Sequence, residues 1–243
     1  MKTSRFFCNT INSDSVIISD VQFRHLTKVL RLQKGAHVEL FDGKGTVAQA
    51  IIEKITKDSA QLNIQSKELL NKRTGRTITI ASSIAKAQRF EEIIAKCTEL
   101  GVDRICPVIF ERTVKQAAGT IASHRFESIA VESAKQSGRI FLPVIDKPEN
   151  FEIVLKNLQK ESPSAKFIFG SLAKTAKSII NLDFASQDCC VFIGPEGGLT
   201  EAEENLLKKT NARPFRITDT TLRIETAAIA FAAILTAKRD LTE

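Results

Sequence analysis

From residue 77 onward, the sequence alternates between short apolar runs and longer segments of helical periodicity, and this alternation limits the possible folds more than any other feature. The apolar runs predict strands at Thr77–Ile84, Arg104–Phe110, Lys166–Phe169, Cys190–Ile193 and Phe215–Ile217. The periodic segments predict helices at Gln88–Leu100, Ile121–Ser137, Phe151–Gln159, Thr200–Lys209 and Arg223–Arg239. Strands that alternate with helices pair in parallel. The pattern therefore predicts an α/β domain with a mostly parallel sheet over residues 73–243, joined to the preceding chain by the polar, basic linker Leu69–Arg76.

Residues 1–72 have a different pattern, in which short β-branched or apolar runs are separated by turns rich in glycine, aspartate and lysine. Strands are predicted at Val16–Ile18, Val38–Phe41, Val47–Ile52 and Gln61–Ile64. A helix is predicted at Ser19–Leu30, with Ser19 as its N-cap and with Phe23, Leu26 and Leu30 on one face. Short strands at this spacing are typical of a small β-barrel.

One glycine-rich stretch, Gly43–Ala48, fits the G-x-G-x-x-A pattern of dinucleotide-binding turns. That pattern requires a helix after it, whereas here the chain continues into another predicted strand. A glycine-rich hairpin is therefore predicted rather than a nucleotide site.

The chain carries 35 Lys and Arg against 28 Asp and Glu, a formal net charge of +7, which suggests a polyanionic partner. Nucleic acid ranks first and a membrane surface second, while a generic basic surface is the alternative. Residues 1–72 hold 11 basic and 7 acidic residues, against 24 and 21 in residues 73–243. Arg24, Lys28 and Arg31 are spaced to share a helical face, which is either a phosphate-contacting surface or a solvated one.

Cysteine and histidine usage gives no sign of a disulfide framework or a metal site. The five cysteines are scattered and form no C-x-x-C motif, and the three histidines are far apart. The cysteines are interpreted as small buried hydrophobes in a reducing compartment. No run is long enough to cross a bilayer, and the first 15 residues lack the apolar segment of a signal peptide. A cytosolic protein with no metal and no membrane partner is expected.

The stretch VFIGPEGGLTEAE, residues 191–203, runs from a predicted strand through a glycine-rich turn into a predicted helix. Pro195 and three glycines favour a tight turn, and Thr200 with Glu203 matches a helix capping box. The glycines also allow a ligand to approach the backbone at the carboxyl end of a parallel strand, where α/β folds bind ligands. The turn contains no Lys or Arg, so a neutral or zwitterionic ligand suits it better than a triphosphate.

The segment LRIETA, residues 222–227, opens the predicted last helix. Arg223, Glu225 and Thr226 lie within this segment, and the apolar run AAIAFAAIL begins at its last residue, Ala227. A helix that is apolar nearly all round is buried in a core or in a subunit interface. The charged first turn is therefore expected at the edge of a packed region, or as a capped helix start in solvent.

Several segments, in this order along the chain, together resemble one family: HLTKVLR with LFDGKG, KCTELGVDRICPV, ESAKQSGRIFLPVI, FIGPEGGLTEAE and LRIETA. The chain resembles the RsmE family of 16S ribosomal RNA (uracil-N3)-methyltransferases, members of the SPOUT superfamily. The resemblance implies a PUA-like, barrel-type RNA-binding domain over residues 1–72. It also implies a SPOUT methyltransferase α/β domain over residues 73–243 with a deep trefoil knot, a rare exception to unknotted chain connectivity.

The resemblance further implies S-adenosylmethionine as cofactor, bound in the knot against three loops. Carried over by motif, the cofactor-binding residues are Gly170, Gly194, Pro195, Glu196, Gly197, Gly198, Ile217, Leu222 and Thr226. The implied partners are the 16S ribosomal RNA of the small subunit and a second copy of the chain, joined through the C-terminal domain as a homodimer.

The last loop departs from the family pattern L-G-x-R-I-L-R-T-E-T-A. Thr218 stands in place of the usual glycine, Thr220 in place of the first arginine, and Ile224 in place of the threonine before the glutamate. Loss of the first arginine removes a possible contact to the cofactor or to RNA.

Methylation at uridine N3 requires removal of the N3 proton, stabilisation of the anionic ring, and alignment of N3 with the methyl group. We predict that Arg223 stabilises negative charge on the uracil oxygens, and that Glu196 or Glu225 accepts the proton or orients the base. Two alternatives remain open. One is a SPOUT methyltransferase that acts on transfer RNA or on a 2′-hydroxyl, and the other is a non-catalytic RNA-binding module with a degenerate knot.

Overall fold

The structure is a computed structural model that describes residues 3–11, 13–72, 76–85, 87–114, 120–183 and 187–240. The chain forms two compact units. The N-terminal unit comprises Met1–Lys72 and Ala134–Leu142, and the C-terminal unit comprises Arg73–Ser133 and Pro143–Glu243. Residues 73–75 of the predicted linker lie outside the described residues.

The N-terminal unit is built on a five-stranded sheet. Its strands are β1 (Ser4–Phe7), β2 (Ser15–Ser19), β3 (His37–Phe41), β4 (Thr46–Ile55) and β5 (Ser59–Leu69). Their order is β1-β3-β4-β5-β2, with β1 and β3 parallel and the other neighbours antiparallel. The four predicted strands are confirmed and each is longer than predicted, and Gly43–Ala48 lies in the predicted β3–β4 hairpin. The first strand was not predicted, because a run of four residues is too short to show a period.

The predicted helix Ser19–Leu30 is instead a short α-helix, α1 (Asp20–Arg24), followed by a π-helical turn at His25–Val29. Leu30 N donates to His25 O at 3.0 Å, which is the i→i+5 bond of a π-helix. The wider turn rotates the side chains that follow it, so Leu30 is 37% exposed while Phe23 is buried. The prediction that Leu30 lies on the same face as Phe23 and Leu26 is therefore wrong. Ser19 is the N-cap residue of α1, as predicted, but its side chain makes no cap bond to the helix backbone and donates instead to Asp20 Oδ2 at 2.7 Å.

The segment Ala134–Leu142 completes the N-terminal unit although it is distant in sequence. Leu142 N donates to Gly43 O at 2.9 Å, and Phe141 forms a β-bridge with Lys44. A Cβ atom on Gly43 would lie 2.6 Å from Leu142 Cδ1, so this turn needs a glycine for the close approach. This contact was not predicted, because nothing in the local sequence pattern of either segment indicates the other.

Asp42 fixes the turn that receives this segment. Its Oδ1 accepts hydrogen bonds from Lys44 N at 2.7 Å and from Thr46 N at 3.0 Å. Burial raises the pKa of Asp42, but these hydrogen bonds outweigh it and hold the pKa below its ordinary value of 3.8. The ionised carboxylate therefore stabilises the fold above pH 3.8, and this contribution is lost as pH falls through the lower folded-state pKa.

Replacing Asp42 with alanine is expected to lower the free energy of unfolding by about 1–3 kcal/mol at pH 7, because two backbone donors lose their acceptor. The difference from the wild type is expected to shrink in acid below about pH 4. Urea unfolding at pH 7 and below about pH 4 measures the difference in unfolding free energy between the variant and the wild type. Asp58→Ala, in the exposed β4–β5 turn, is the control, and an undiminished difference in acid would contradict the prediction.

The C-terminal unit has an eight-stranded sheet with helices. Its strands are β6 (Ile78–Ser83), β7 (Arg104–Ile109), β8 (Val144–Ile145), β9 (Glu149–Asn150), β10 (Lys166–Gly170), β11 (Lys177–Ser178), β12 (Cys189–Ile193) and β13 (Arg213–Arg216). Its helices are α2 (Ala87–Leu100), α3 (Thr120–Ser137), α4 (Phe151–Glu161), α5 (Glu201–Lys209) and α6 (Ile224–Asp240), with a 3₁₀ turn at Ile179–Asn181. Helix α3 runs on into the N-terminal unit.

The sheet order is β11-β13-β10-β12-β6-β7-β8, with β9 also beside β7, and every pair is parallel. This confirms the predicted α/β domain. The five predicted strands and five predicted helices are present, although β13 begins two residues earlier than predicted. The two-residue strands β8, β9 and β11 were not predicted, since pairs of residues have no readable periodicity.

All five cysteines are buried, as predicted, and burial raises the pKa of the Cys8 thiol to about 11. Across the described ranges, no helix combines the length and the apolar character needed to cross a bilayer. The same residues contain no group of three His, Cys, Asp or Glu side chains arranged to hold a metal ion.

Candidate active site

A cavity of about 420 Å³ lies in the C-terminal unit at the carboxyl ends of β10, β12 and β13. Because these strands are parallel, the loops that follow them meet at one edge of the sheet. The lining comes from three loop segments, the ends of the strands that they follow, and helices α5 and α6. The lining residues are Gly170, Ser171, Leu172, Ile193, Gly194, Pro195, Glu196, Gly197, Gly198, Leu199, Glu204, Phe215, Arg216, Ile217, Thr218, Thr220, Thr221, Leu222, Ile224, Ala227 and Phe231.

The GPEGG turn, residues 194–198, forms one wall of this cavity. Gly198 N donates to Pro195 O at 2.8 Å, and Gly198 has a φ of 72°, a left-handed conformation that favours glycine. Thr200 Oγ1 accepts from Glu203 N at 3.3 Å, and Glu203 Oε2 accepts from Thr200 N at 2.7 Å. The predicted capping box is confirmed, and it fixes the point at which the turn enters α5.

The turn is also held from the segment that follows β7. Arg112 Nη1 donates to Gly197 O at 2.8 Å. The second carboxylate oxygen of Glu203 accepts from Glu111 N at 2.8 Å. The GPEGG turn is therefore fixed by three sets of contacts: the hydrogen bond within the turn, the cap of α5, and the hydrogen bond from Arg112 in the segment after β7.

A cluster of one arginine and two glutamates, Arg89, Glu196 and Glu225, lies beside this wall. Arg89 Nη1 donates to Glu196 Oε1 at 2.6 Å, and Arg89 Nε lies 3.8 Å from Glu225 Oε1. Glu225 is 8% exposed, and its Oε2 atom is buried with no hydrogen-bond partner among the residues described. A buried carboxylate oxygen without a partner is costly and typical of a functional site.

The lining contains two carboxylates, Glu196 and Glu204, and a single guanidinium among the described residues, that of Arg216. Arg216 Nη1 is 2.9 Å from Asp219 Oδ1, so its charge is already paired. The cavity is therefore suited to a neutral or positively charged ligand and not to a polyphosphate. The prediction from the lysine- and arginine-free turn agrees with this lining.

The structure brings most of the predicted cofactor-binding residues to this cavity. Eight of the nine are in the lining: Gly170, Gly194, Pro195, Glu196, Gly197, Gly198, Ile217 and Leu222. Thr226 is exposed in the first turn of α6 and is not in the lining. Helical spacing explains this, because Ile224 and Ala227 are neighbours on one face while Thr226 points away from Ile224.

The predicted catalytic residues lie at or beside the same cavity. Glu196 is in the lining, whereas Glu225 is buried next to Arg89 outside it. Arg223 is exposed between two lining residues, and no described carboxylate forms an ion pair with it. The predicted RNA-binding residues Arg24, Lys28 and Arg31 belong to the N-terminal unit and are exposed. Arg31 follows the end of the π-helical turn and has a φ of 52°, so the prediction that all three share one helical face is wrong.

Comparisons with known proteins match both units. A family model for the RNA methyltransferase domain matches residues 72–236, and a model for the RNA methyltransferase PUA domain matches residues 18–65. The chain is 30% identical over 222 residues to ribosomal RNA small subunit methyltransferase E of Synechocystis, covering 90% of this chain and 72% of that protein. The chain belongs to the RsmE family of RNA methyltransferases.

Two further comparisons cover almost the whole RsmE-family chain. The Rickettsia conorii ribosomal RNA small subunit methyltransferase E is 29% identical over 236 residues, which is 94% of this chain and 93% of that protein. The Neisseria gonorrhoeae enzyme of the same name, crystallised with S-adenosyl methionine, superposes with a TM-score of 0.86 at 28% identity, covering 98% of each chain.

The departures from the RsmE family pattern in the last loop have a local structural explanation. Thr218 Oγ1 lies 3.1 Å from Thr220 O and accepts from Thr220 N at 3.4 Å, so a side-chain hydroxyl closes the turn where the family usually has glycine. Thr218 and Thr220 both line the cavity, and with Thr221 they give this wall three hydroxyl groups. The loop keeps its turn without the glycine.

Two residues of the RsmE-family site were missed from the sequence: Arg89 and Arg112. Each lies just after the carboxyl end of a central strand, β6 or β7, in the position where ligands of α/β folds bind. Their position after a predicted central strand was the signal in the sequence that could have identified them. Neither residue belongs to a recognisable motif, so both were interpreted only as parts of a helix or a loop.

Proposed function

We propose that this protein transfers a methyl group from S-adenosylmethionine to N3 of a uridine in the 16S ribosomal RNA of the small ribosomal subunit. One observation carries the proposal: the cavity formed by the GPEGG turn and two neighbouring loops, in a chain whose relatives are named small-subunit ribosomal RNA methyltransferases. The related enzyme from Neisseria gonorrhoeae binds S-adenosyl methionine, which supports the same cofactor here.

The residues of the cavity fit this cofactor. A volume of about 420 Å³ suits a small-molecule ligand, and the glycine backbone presents N–H and C=O groups at close range. A Cβ on Gly170 would lie 3.3 Å from Phe231, and one on Gly194 would lie 2.9 Å from Leu199, so side chains at these positions would crowd the wall. Glu196 and Glu204 complement a positive charge. When bound, the cofactor supplies an electrophilic methyl group on a sulfonium.

The chain supplies the groups that prepare the uridine. Arg223 carries an exposed cation beside the cavity, and we assign it to stabilise negative charge on the uracil oxygens. Glu196 Oε1 is occupied by Arg89, whereas Glu225 Oε2 has no hydrogen-bond partner among the described residues. We therefore assign the N3 proton to Glu225 and an orienting role to Glu196. In folded RNA the target base must first leave its stack.

Several finer features belong to the same proposal. The order β11-β13-β10 supports a deep trefoil knot, because the late strand β13 lies between two strands that follow each other in the chain. The PUA model match and the five-stranded sheet support a barrel-type RNA-binding domain in residues 1–72, with a SPOUT methyltransferase domain in residues 73–243. A ribosomal substrate also implies a cytoplasmic location.

A homodimer through the C-terminal unit is proposed from helix α6. One face of the helix is buried, and apolar residues on the rest of it are only half-buried within one copy of the chain. The half-buried residues are Ala227, Ile229, Ala230, Ala233 and Ile234. A second copy would cover this face, and sedimentation analysis tests it.

RNA binding by the N-terminal unit is expected to depend on salt, since it acts mainly through phosphates. Removing Arg24, Lys28 and Arg31 together by alanine substitution is expected to reduce the slope of log K against log salt by about 2. Filter binding to small-subunit RNA over a series of salt concentrations measures this slope. Alanine at Lys54, Lys57 and Lys72 removes the same charge from other exposed sites, and an equal effect there would contradict a localised surface.

Methyl transfer is tested directly by incubating the protein with small-subunit RNA or particles and labelled S-adenosylmethionine, followed by nucleoside analysis. 3-Methyluridine in 16S ribosomal RNA is the expected product. Label in transfer RNA or at a 2′-hydroxyl would indicate another SPOUT activity. Absence of cofactor binding by calorimetry would indicate a non-catalytic RNA-binding module.

A further inference from the structure

The geometry points to a further residue in the methyl transfer: we propose that Arg89 is a positioning residue that acts through Glu196 and Glu225. This inference rests on the proposed function and assigns a role to a residue outside the motifs of the family resemblance. Arg89 lies in the first turn of α2, whereas the two glutamates come from the GPEGG turn and the first turn of α6. One guanidinium therefore connects two elements that border the cavity.

The two contacts use different nitrogen atoms of the same planar group. Nη1 donates to Glu196 Oε1 at 2.6 Å, and Nε lies 3.8 Å from Glu225 Oε1. The contact to Glu196 is a hydrogen bond and the longer contact to Glu225 is an ion pair. The planar guanidinium fixes Nη1 and Nε relative to each other, so it holds both carboxylates at once, which the single ammonium of lysine does not do. Arg89 thereby sets the position of the two carboxylates relative to each other.

Stability does not account for this cluster. The side chains of Arg89 and Glu196 are 34% and 59% exposed, and exposed ion pairs contribute little to folding. Glu225 is buried with one oxygen unpartnered within the described residues, which costs free energy. An arrangement that costs stability beside a cavity is typical of a functional site, where the group is held ready for a ligand.

Arg89 holds side chains, whereas other contacts hold the backbone of the wall. The carbonyl of Gly197 accepts from Arg112, and the cap at Thr200 and Glu203 fixes the end of the turn. Loss of Arg89 should therefore leave the cofactor wall in place and disturb only the carboxylates. The expected signature is a loss of turnover without a loss of cofactor affinity.

The test compares variants of two arginines, Arg89 and Arg112, that both contact the GPEGG turn. Arg89→Met is expected to lower kcat by about 100-fold with RNA substrate, the cost of misplacing a catalytic group by about 1 Å. Its Kd for S-adenosylmethionine, measured by calorimetry, should remain within about threefold of the wild type, since the backbone contacts persist and Glu196 keeps its negative charge at the cavity wall. Arg89→Lys keeps the charge but not the fork and should recover only part of kcat.

The matched variant Arg112→Ala should show the opposite signature, with weaker cofactor binding and a smaller change in kcat at saturating cofactor. Arg125→Ala removes an arginine that pairs with Glu91, on the same helix as Arg89, and should behave as the wild type. Thermal unfolding of each variant confirms that it is folded.

An active wild type with an equally active Arg89→Met variant would overturn the role of Arg89 alone. Equal losses in kcat and cofactor affinity would show that Arg89 only supports the structure of the site and would overturn its positioning role. Full activity of Arg89→Lys would overturn the part of the proposal that requires the planar guanidinium, because a positive charge would then suffice. A wild-type protein that transfers no methyl group would overturn the proposed function, and the role of Arg89 with it.

Discussion

The Arg223→Ala variant is expected to lose about 100- to 1000-fold in kcat while its affinity for S-adenosylmethionine changes by less than about threefold. The uracil ring becomes anionic when N3 loses its proton, and a fixed cation that acts only on that charge lowers the barrier without holding the cofactor. Arg223 is exposed beside the cavity and is not part of its lining, so the truncation leaves the cofactor wall intact.

Single-turnover methylation of 16S ribosomal RNA and calorimetric titration of the cofactor measure the two quantities separately. Arg213→Ala, which removes an exposed arginine at the start of β13, is the control for the loss of one positive charge. Unchanged turnover of the Arg223 variant would remove its proposed role. A parallel fall in cofactor affinity would instead assign Arg223 to cofactor binding.

The Glu225→Gln variant is expected to lose about 100- to 10,000-fold in kcat, because an amide does not accept the N3 proton. Its free energy of unfolding should be unchanged or higher. The substitution keeps the shape of the side chain and replaces a buried carboxylate, one oxygen of which has no partner among the described residues, by a neutral group. Activity is thus expected to fall without a loss of stability.

Two comparison variants separate this role from general effects on the site. Glu196→Gln should lose less activity than Glu225→Gln, since Glu196 is assigned to orient the base. Glu92→Gln, an exposed position on α2, should match the wild type. If Glu196→Gln is the more damaged of the two, the proton belongs to Glu196, and a marked loss of stability in Glu225→Gln would indicate a structural carboxylate.

Local patterns predicted most of the fold, and long-range contacts account for what they missed. The helices and strands of the C-terminal unit follow from periodicity, because each element buries a face that its own sequence marks. Leu30 was placed on the wrong face because a π-helical turn changes the side-chain period, and no residue type signals such a turn. The contact between Gly43 and Leu142 joins segments about 100 residues apart and has no local signal.

The same distinction applies to the candidate site. The GPEGG turn was found from the sequence because glycine, proline and the cap at Thr200 have local conformational causes. Arg89 and Arg112 were missed because their partners lie 107 and 85 residues away, and their role depends on how the sheet assembles. Thr226 was carried over by motif, and only the helical rotation of α6 shows that it lies outside the lining.

The discontinuous make-up of the N-terminal unit has a consequence for protein synthesis. Its sheet is encoded by the first 72 residues, but the segment that packs on the Asp42–Gly45 turn ends at Leu142. At roughly 5–20 residues per second, translation of the 70 intervening residues takes about 4–14 s. During that interval the emerging sheet lacks the segment that covers its turn, so this N-terminal unit reaches its final form only after the first part of the following unit, Arg73–Ser133, has left the ribosome.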